Sequence, residues 1–295
     1  MNSELIDKIF NENCLEGMKR IPDASVDMIL CDLPYGCLHK DNPNAQWDSI
    51  IPFEPLWTQY ERVIKDDGAI VLFSQGLFTA KLILSNEKLF RYTLVWDKGR
   101  VTGFLNARRM PMRCHEDICV FYKSLPTYNP QMEKCLPHQR NHSRGKQEGK
   151  QTNRCYGVFG KAEDFISDEK YPRSIIRNYG NDHEGRVYER VPRVESTVPD
   201  GYSMPKSIIS IQKEHESTTL HPTQKPVDIM RYLIRTYTNK GDLVLDNCMG
   251  SGTTAIAAVR EKRHFLGFEL EKEYYDIATK RVKTEMQQPT LDFDV

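Results

Sequence analysis

The stretch LVLDNCMGSGTTAIAAV (243–259) decides the reading of this chain. Its first residues are apolar and read as a strand ending at Asp246. A glycine-containing turn follows, and a helix begins near Gly252. Gly250 and Gly252 allow positive φ and a close approach of backbone to a ligand. The helix start offers N–H groups to a carboxylate or phosphate. The next apolar run, HFLGFE (264–269), places Glu269 at its tip, where an acid can accept from both hydroxyls of a ribose. The turn is neither the dinucleotide G-x-G-x-x-G nor a phosphate loop, because no G-K-[ST] follows.

The same grammar extends outward. VDMIL (26–30), AIVLF (69–73), YTLVW (92–96), DICVFY (117–122), DLVLD (242–246) and HFLGFE (264–269) read as strands. Residues 54–68, 224–241 and 272–286 read as helices, the first ended by a glycine and the second with Pro226 in its first turn and Gly241 at its end. Near-continuous apolar strands alternating with helices predict an α/β sheet covered on both faces. Between 124 and 216 the periodicity fades into Pro, Asn, Gly and charge. That is too long for one structureless loop, so it is read as an inserted subdomain between two parts of one domain, 1–123 and 217–295.

The 295 residues suit one large domain with an insertion, and 28% charged against 39% hydrophobic residues fit a globular chain. None of the eight cysteines forms a C-x-x-C pair, and Cys114, His115 and Cys119 lack a convincing fourth metal ligand. Free thiols in a chain of this size point to a reducing cytoplasm. No apolar run approaches the roughly 20 residues of a membrane helix, and the first ten residues carry no signal-like stretch. Formal net charge is zero, but two basic clusters stand out. One holds Lys98, Arg100, Arg108, Arg109 and Arg113; the other, between Lys134 and Arg154, includes Arg140, Arg144 and Lys146. Arg108, Arg109, Arg140, Arg144 and Lys146 are therefore candidate contacts to nucleic-acid phosphates, against the alternative of a solvated face.

Two further stretches complete the pattern: CDLPYGCLHK (31–40), straight after a strand, and HPTQKP (221–226), just before a helix. Together, DLPYG, HPTQKP and DNCMGSGTT resemble the D-P-P-Y, H-P-T-Q-K-P and D-P-F-x-G-S-G-T-T motifs of DNA amino-methyltransferases. Their order, catalytic loop first and cofactor loop last, resembles the β class of that family. The resemblance covers 1–123 and 217–295. It implies a Rossmann-like sheet with circularly permuted motif order, S-adenosylmethionine as cofactor, double-stranded DNA as substrate, and target recognition by the insertion. A homodimer is implied as well, since β-class relatives often dimerise.

Carried over residue by residue, the resemblance makes Asp32 and the Leu33 carbonyl acceptors for the amine of a flipped-out base, with Pro34 stiffening the loop and Tyr35 stacking on the ring. Asp246, Cys248, Gly250, Ser251, Gly252 and Thr253 would surround the donor, with Glu269 on its ribose. His221 and Thr223 would hold its amino-acid end, while Phe73 and Asn13 would lie near its adenine. Leu33 replaces a proline of the motif, and Asn247 and Cys248 replace its P-F. Asp at the head of the catalytic loop favours adenine N6 over cytosine N4, where relatives usually carry Ser. The competing readings are cytosine-N4 methylation, a protein or RNA methyltransferase, and a non-catalytic DNA-binding protein with a decayed pocket.

Overall fold

Apolar side chains alternate along the central strands, and this alternation builds two cores. In β2 (Val26–Asp32), Ile29 and Cys31 join one core while Met28 and Leu30 join the other. In β3 (Ile64–Ser74), Ile70 and Leu72 oppose Ala69, Val71 and Phe73 in the same way. Successive strand side chains point to opposite faces, so strands this apolar need cover on both sides. A computed structural model describes residues 4–37, 48–102, 106–131 and 224–287, with short strands at 133–134, 141–143, 165–167, 169–170 and 175–177. On one face lie α1 (Cys14–Met18), α2 (Phe53–Val63) and α3 (Leu77–Ser85), which bury Met18, Leu56, Tyr60, Phe78 and Leu82. On the other lie α4 (Val227–Tyr237), α5 (Thr253–Arg260) and α6 (Lys272–Gln287), which bury Ile229, Leu233, Ile256, Ala257 and Ala278.

The remaining strands of the sheet are β1 (Lys8–Asn11), β4 (Phe90–Thr102), β5 (Arg113–Phe121), β10 (Ile175–Arg177), β11 (Leu243–Asp246) and β12 (His264–Glu269). The eight strands run β1-β12-β11-β2-β3-β5-β4-β10. All neighbours are parallel except β5, which is antiparallel to both β3 and β4. β11 leads through α5 to β12 on one side, whereas β2 leads through α2 to β3 on the other. The topological switch therefore falls between β11 and β2, which pair through Val244 with Met28 and Leu245 with Ile29. In open α/β sheets, ligands bind outside the carboxyl ends of the strands at such a point. Asp246 and Asp32 are the last residues of those two strands.

Residues 130–173 form a separate compact unit. Within it β6 (Glu133–Lys134) pairs with β9 (Glu169–Lys170), and β7 (Asn141–Ser143) with β8 (Phe165–Ser167), both antiparallel. β10, although inside the 124–216 stretch, pairs with β4 of the main sheet.

Several boundaries differ from the sequence expectation. The helix expected over 54–68 ends at Val63, and Ile64 is already extended (φ −72°, ψ 137°). Gly68 lies inside β3 rather than at a helix end; a Cβ there would sit 2.8 Å from the Asp27 carbonyl, close to a register shift between Val26 and Met28. Pro226 is the residue before α4 and not its first turn. Neither α3 nor the antiparallel sense of β5 was read from the sequence. Antiparallel direction is a property of the partner strand and leaves no trace in alternation.

Candidate active site

Asp32 ends β2 and carries a carboxylate that is engaged on both oxygens. Tyr35 Oη donates to Oδ1 at 2.8 Å, and Lys225 Nζ donates to Oδ2 at 2.5 Å. The loop between them is closed from behind. Leu33 is buried in the core, and the Gly36 N–H donates to Asp48 Oδ1 at 2.9 Å. The Tyr35 ring lies 5.0 Å from that of Phe78. An acid, a turn and an aromatic thus form one tight loop whose carboxylate stays accessible, its side chain 23% exposed.

Lys225 is the centre of a charged cluster that sequence reading missed. Its ammonium also lies 3.2 Å from Glu116 Oε2, and Lys98 Nζ donates to Glu116 Oε1 at 3.0 Å. The rings of Phe73 and Tyr35 flank the ammonium at 5.2 and 5.9 Å. Alternation explains the convergence. Leu30 and Asp32 on β2, Ile118 and Glu116 on β5, and Trp96 and Lys98 on β4 follow the strand period that faces α4. Because β5 is antiparallel, its start lies at the same end of the sheet as the end of β2. Burial raises the Asp32 carboxyl above the usual carboxylate range, although Lys225 opposes it. For Glu116, burial is outweighed by the Lys225 and Lys98 ammoniums, which hold it low. For Lys225, burial is outweighed by Asp32 and Glu116, so its ammonium is held above its ordinary value.

The glycine loop is built around two acids. Asp246 is buried; its Oδ1 accepts the Cys248 N–H at 3.0 Å and its Oδ2 accepts the Thr254 hydroxyl at 2.6 Å. Burial pushes its carboxyl up to about 6. This residue folds the turn. Glu269 Oε2 accepts the Gly250 N–H at 2.7 Å and Oε1 accepts the Glu271 N–H at 2.9 Å. Gly250 and Gly252 have φ +55° and +85°. Gly252 is the N-cap of α5, followed by buried Thr253. Ser251 Oγ donates to Gln224 Oε1 at 3.1 Å. The dipeptide Gln224–Lys225 therefore touches the glycine loop with one side chain and the Asp32 loop with the next.

The structure brings Asp32, Leu33, Pro34 and Tyr35 together at one strand end, and Cys248, Gly250, Ser251, Gly252, Thr253 and Glu269 around the neighbouring ones. Asn247 is buried beside Cys248; its Oδ1 accepts from Tyr60 Oη at 2.5 Å, and its Nδ2 lies 3.6 Å from Cys14 Sγ and 3.5 Å from Cys248 Sγ. Two of the cofactor candidates have further neighbours. Phe73 pairs with Asp32 across the sheet and lies against Lys225, three strands away from the strand that carries Glu269. At about 4.8 Å per strand that separation is roughly 14 Å, and Phe73 lies beside the Asp32 loop. The Asn13 side chain accepts the Leu15 N–H at 2.9 Å as the N-cap of α1, two residues beyond Asn11, which pairs with Glu269. Arg108 and Arg109 are exposed in the turn between β4 and β5, at the same end of the sheet as Asp32. Lys98 is withdrawn from that basic cluster into the Glu116 pair. His221, Thr223, Arg140, Arg144 and Lys146 lie outside the described residues. The missed residues had a faint signal: the acids of CHED (114–117) interrupt an otherwise apolar strand.

The N6/N4 methyltransferase family model, described as DNA methylase, matches residues 26–280. The type II methyltransferase M1.MboII of Moraxella bovis is 27% identical over 284 residues, 92% of this chain and 95% of that protein. The type II methyltransferase M.BglII of Bacillus subtilis is 26% identical over 279 residues, 92% of this chain and 68% of that protein. Among solved structures, the M1.HpyAVI–SAM complex has a TM-score of 0.55 at 21% identity, covering 93% of this chain and 98% of that one. The cytosine-N4-specific PvuII DNA methyltransferase has a TM-score of 0.56 at 14% identity, covering 95% and 90%. These structures share the fold. The family match runs from the start of β2 into α6 and so takes in the Asp32 loop, Lys225 and the glycine loop in their order along the chain. With that site at the switch point of that sheet, the chain belongs to the DNA methylase family and is a DNA amino-methyltransferase.

Proposed function

We propose that the chain methylates the N6 amine of an adenine flipped out of double-stranded DNA at a specific sequence. The observation that carries the reading is the meeting of the Asp32 carboxylate with the glycine loop at one topological switch point. The methyl donor is S-adenosylmethionine, which when bound supplies an electrophilic methyl group on a sulfonium. The loop fits such a group. A Cβ added at Gly250 would meet nothing nearer than the Cys248 carbonyl at 4.0 Å, so the backbone there is open to a ligand. Glu269 is oriented by two backbone N–H groups, and an ionised carboxylate offers about four acceptor sites, which leaves it able to accept from ribose hydroxyls. Gly250, Ser251, Gly252 and Thr253 would hold the donor's methionine side.

An exocyclic amine is a poor nucleophile because its lone pair is delocalised into the ring. Asp32 accepts one amine N–H and the Leu33 carbonyl the other, which orients the nitrogen and favours its pyramidal form. After transfer, the released proton leaves through Asp32, whose carboxyl burial holds above the usual range. Tyr35 stacks on the base. The target amine is inaccessible inside a duplex, so the nucleotide must leave the stack. Asp at the head of this loop supports adenine, whereas Ser would support cytosine N4. Similarity to the two type II methyltransferases supports a role in restriction–modification in the cytoplasm. No helix among the described residues is long and apolar enough to cross a membrane.

The test is nucleoside mass spectrometry of unmethylated genomic DNA after incubation with the protein and S-adenosylmethionine. N6-methyladenine is expected. N4-methylcytosine would overturn the choice of base while keeping the site. Asp32→Ala should abolish transfer and spare donor binding; full activity in that variant would overturn the catalytic assignment.

A further inference from the structure

A buried ammonium held between two carboxylates is an expensive way to stabilise a fold. Desolvating such charges often exceeds their mutual attraction, and apolar replacements are commonly as stable. Lys225 nevertheless places its ammonium, with its side chain 7% exposed, between Asp32 and Glu116 at the end of the reacting strand. Buried charge clusters of this kind concentrate at functional sites. Glu116 is itself tied to Lys98, so the ammonium has an anchor that does not depend on Asp32.

An ammonium carries three donors. Among the described residues, Asp32 accepts from one, Glu116 Oε2 lies 3.2 Å away as an ion-pair partner outside hydrogen-bond geometry, and the Tyr35 and Phe73 rings flank the group. An acceptor and a donor therefore stand side by side: the Asp32 carboxylate and, 2.5 Å from its Oδ2, the Lys225 nitrogen. Adenine and cytosine both present the complementary edge, an amine next to an unprotonated ring nitrogen. Guanine and thymine present a ring N–H next to a carbonyl oxygen. That edge would set N–H against ammonium and carbonyl against carboxylate.

Resting on the assignment of Asp32 above, we infer that Lys225 is a base-recognition residue. Its ammonium donates to the ring nitrogen beside the target amine (N1 of adenine or N3 of cytosine) while Asp32 accepts from the amine. Glu116 and Lys98 keep the ammonium in register when Asp32 turns to the substrate. The pair selects the amino-bearing bases as a class; pocket shape then separates adenine from cytosine.

The experiment is a cycle of enzyme and substrate. Synthetic duplexes carry the mapped site with either the natural target base or its analogue lacking the ring nitrogen, 1-deazaadenine for adenine or 3-deazacytosine for cytosine. Wild type and Lys225→Met are compared on both for kcat and KM, and donor Kd is measured by calorimetry. On the natural base, Lys225→Met should lose roughly 10- to 100-fold in kcat/KM, the range of a hydrogen bond from a charged donor. Donor Kd should stay within about threefold. On the deaza duplex, wild type and Lys225→Met should be nearly equal, because the contact is already gone. Lys225→Arg should recover part of the loss on the natural base. Equal fold losses for Lys225→Met on both duplexes would overturn the proposal and leave Lys225 a structural partner of Asp32. So would loss of donor binding, or a wild-type kcat/KM ratio between the two duplexes matching that of Lys225→Met. Failure of the underlying reading has a separate signature: Asp32→Ala would remain active.

Discussion

Gly250 and Gly252 are two residues apart, both at positive φ, yet the structure assigns them different duties. At Gly252 an added Cβ would meet Ala278 Cα and Cβ at 3.1 Å and its carbonyl oxygen at 3.4 Å. Ordinary carbon contacts lie near 3.5–4.0 Å, and Ala278 is fully buried on α6, with no flexible end to move aside. At Gly250 the space is open. A left-handed conformation costs a residue with a Cβ about 1–2 kcal/mol, offset by about 0.5–1 kcal/mol from the less disordered unfolded chain. Gly250→Ala should therefore destabilise by about 1 kcal/mol. Gly252→Ala adds overpacking of about 1–3 kcal/mol, for a total of about 2–4 kcal/mol. At about 2 °C per kcal/mol for a chain of this length, the melting temperature should fall by about 2 °C in the first variant and about 4–8 °C in the second. Donor binding should reverse the order per unit of stability lost. On the proposed placement of the donor against this backbone, the Gly250 methyl enters open space meant for it, so S-adenosylmethionine affinity should fall at least about tenfold, equivalent to about 1.4 kcal/mol. Calorimetric melting and donor titration of both variants provide the check. If Gly250→Ala lowered the melting temperature as much as Gly252→Ala and left donor Kd unchanged, the division of labour drawn from these contacts would be refuted.

Asp246 makes a pH prediction. Its carboxyl is raised by burial to about 6 from an ordinary 3.8. An acid shifted upward stabilises the fold when protonated, and this stabilisation is lost as pH rises through about 6. The full effect of about two units is about 3 kcal/mol, of which about 1–1.5 kcal/mol falls between pH 5 and 7.5. In the donor-free protein, wild type should lose that much against Asp246→Asn over the interval, measured by denaturant melts; parallel stabilities would exclude the raised carboxyl. Arg108→Ala and Arg109→Ala should each lower the slope of log DNA affinity against log salt by about 1. Donor Kd should be unchanged in both, and an unaltered salt slope would remove that turn from the DNA interface.

The site residues that were legible in the sequence share a reason. Asp32, Tyr35, Gly250, Gly252 and Glu269 belong to strand–turn–helix segments whose backbone demands are local. Two glycines at positive φ and an acid at each strand end are statements about a few consecutive residues, and the chain carries them wherever it is read. Residue type did not show that Asn13 caps a helix, nor that Phe73 stands beside Asp32 and Lys225. Lys225, Glu116 and Gln224 stayed hidden because their partners are remote: Lys225 and Asp32 are 193 residues apart.

The sequence by itself determined an α/β sheet covered on both faces and carried three motifs that resemble those of a known family, in that family's order. Only the tertiary structure decided which strand ends are neighbours. Placing β11 beside β2 brought the two loops to neighbouring strand ends, and the antiparallel β5 turned Glu116 toward the same end as Asp32. Alternation states which face a side chain takes. Strand order and direction, set by packing across the whole sheet, decide which charge it meets there.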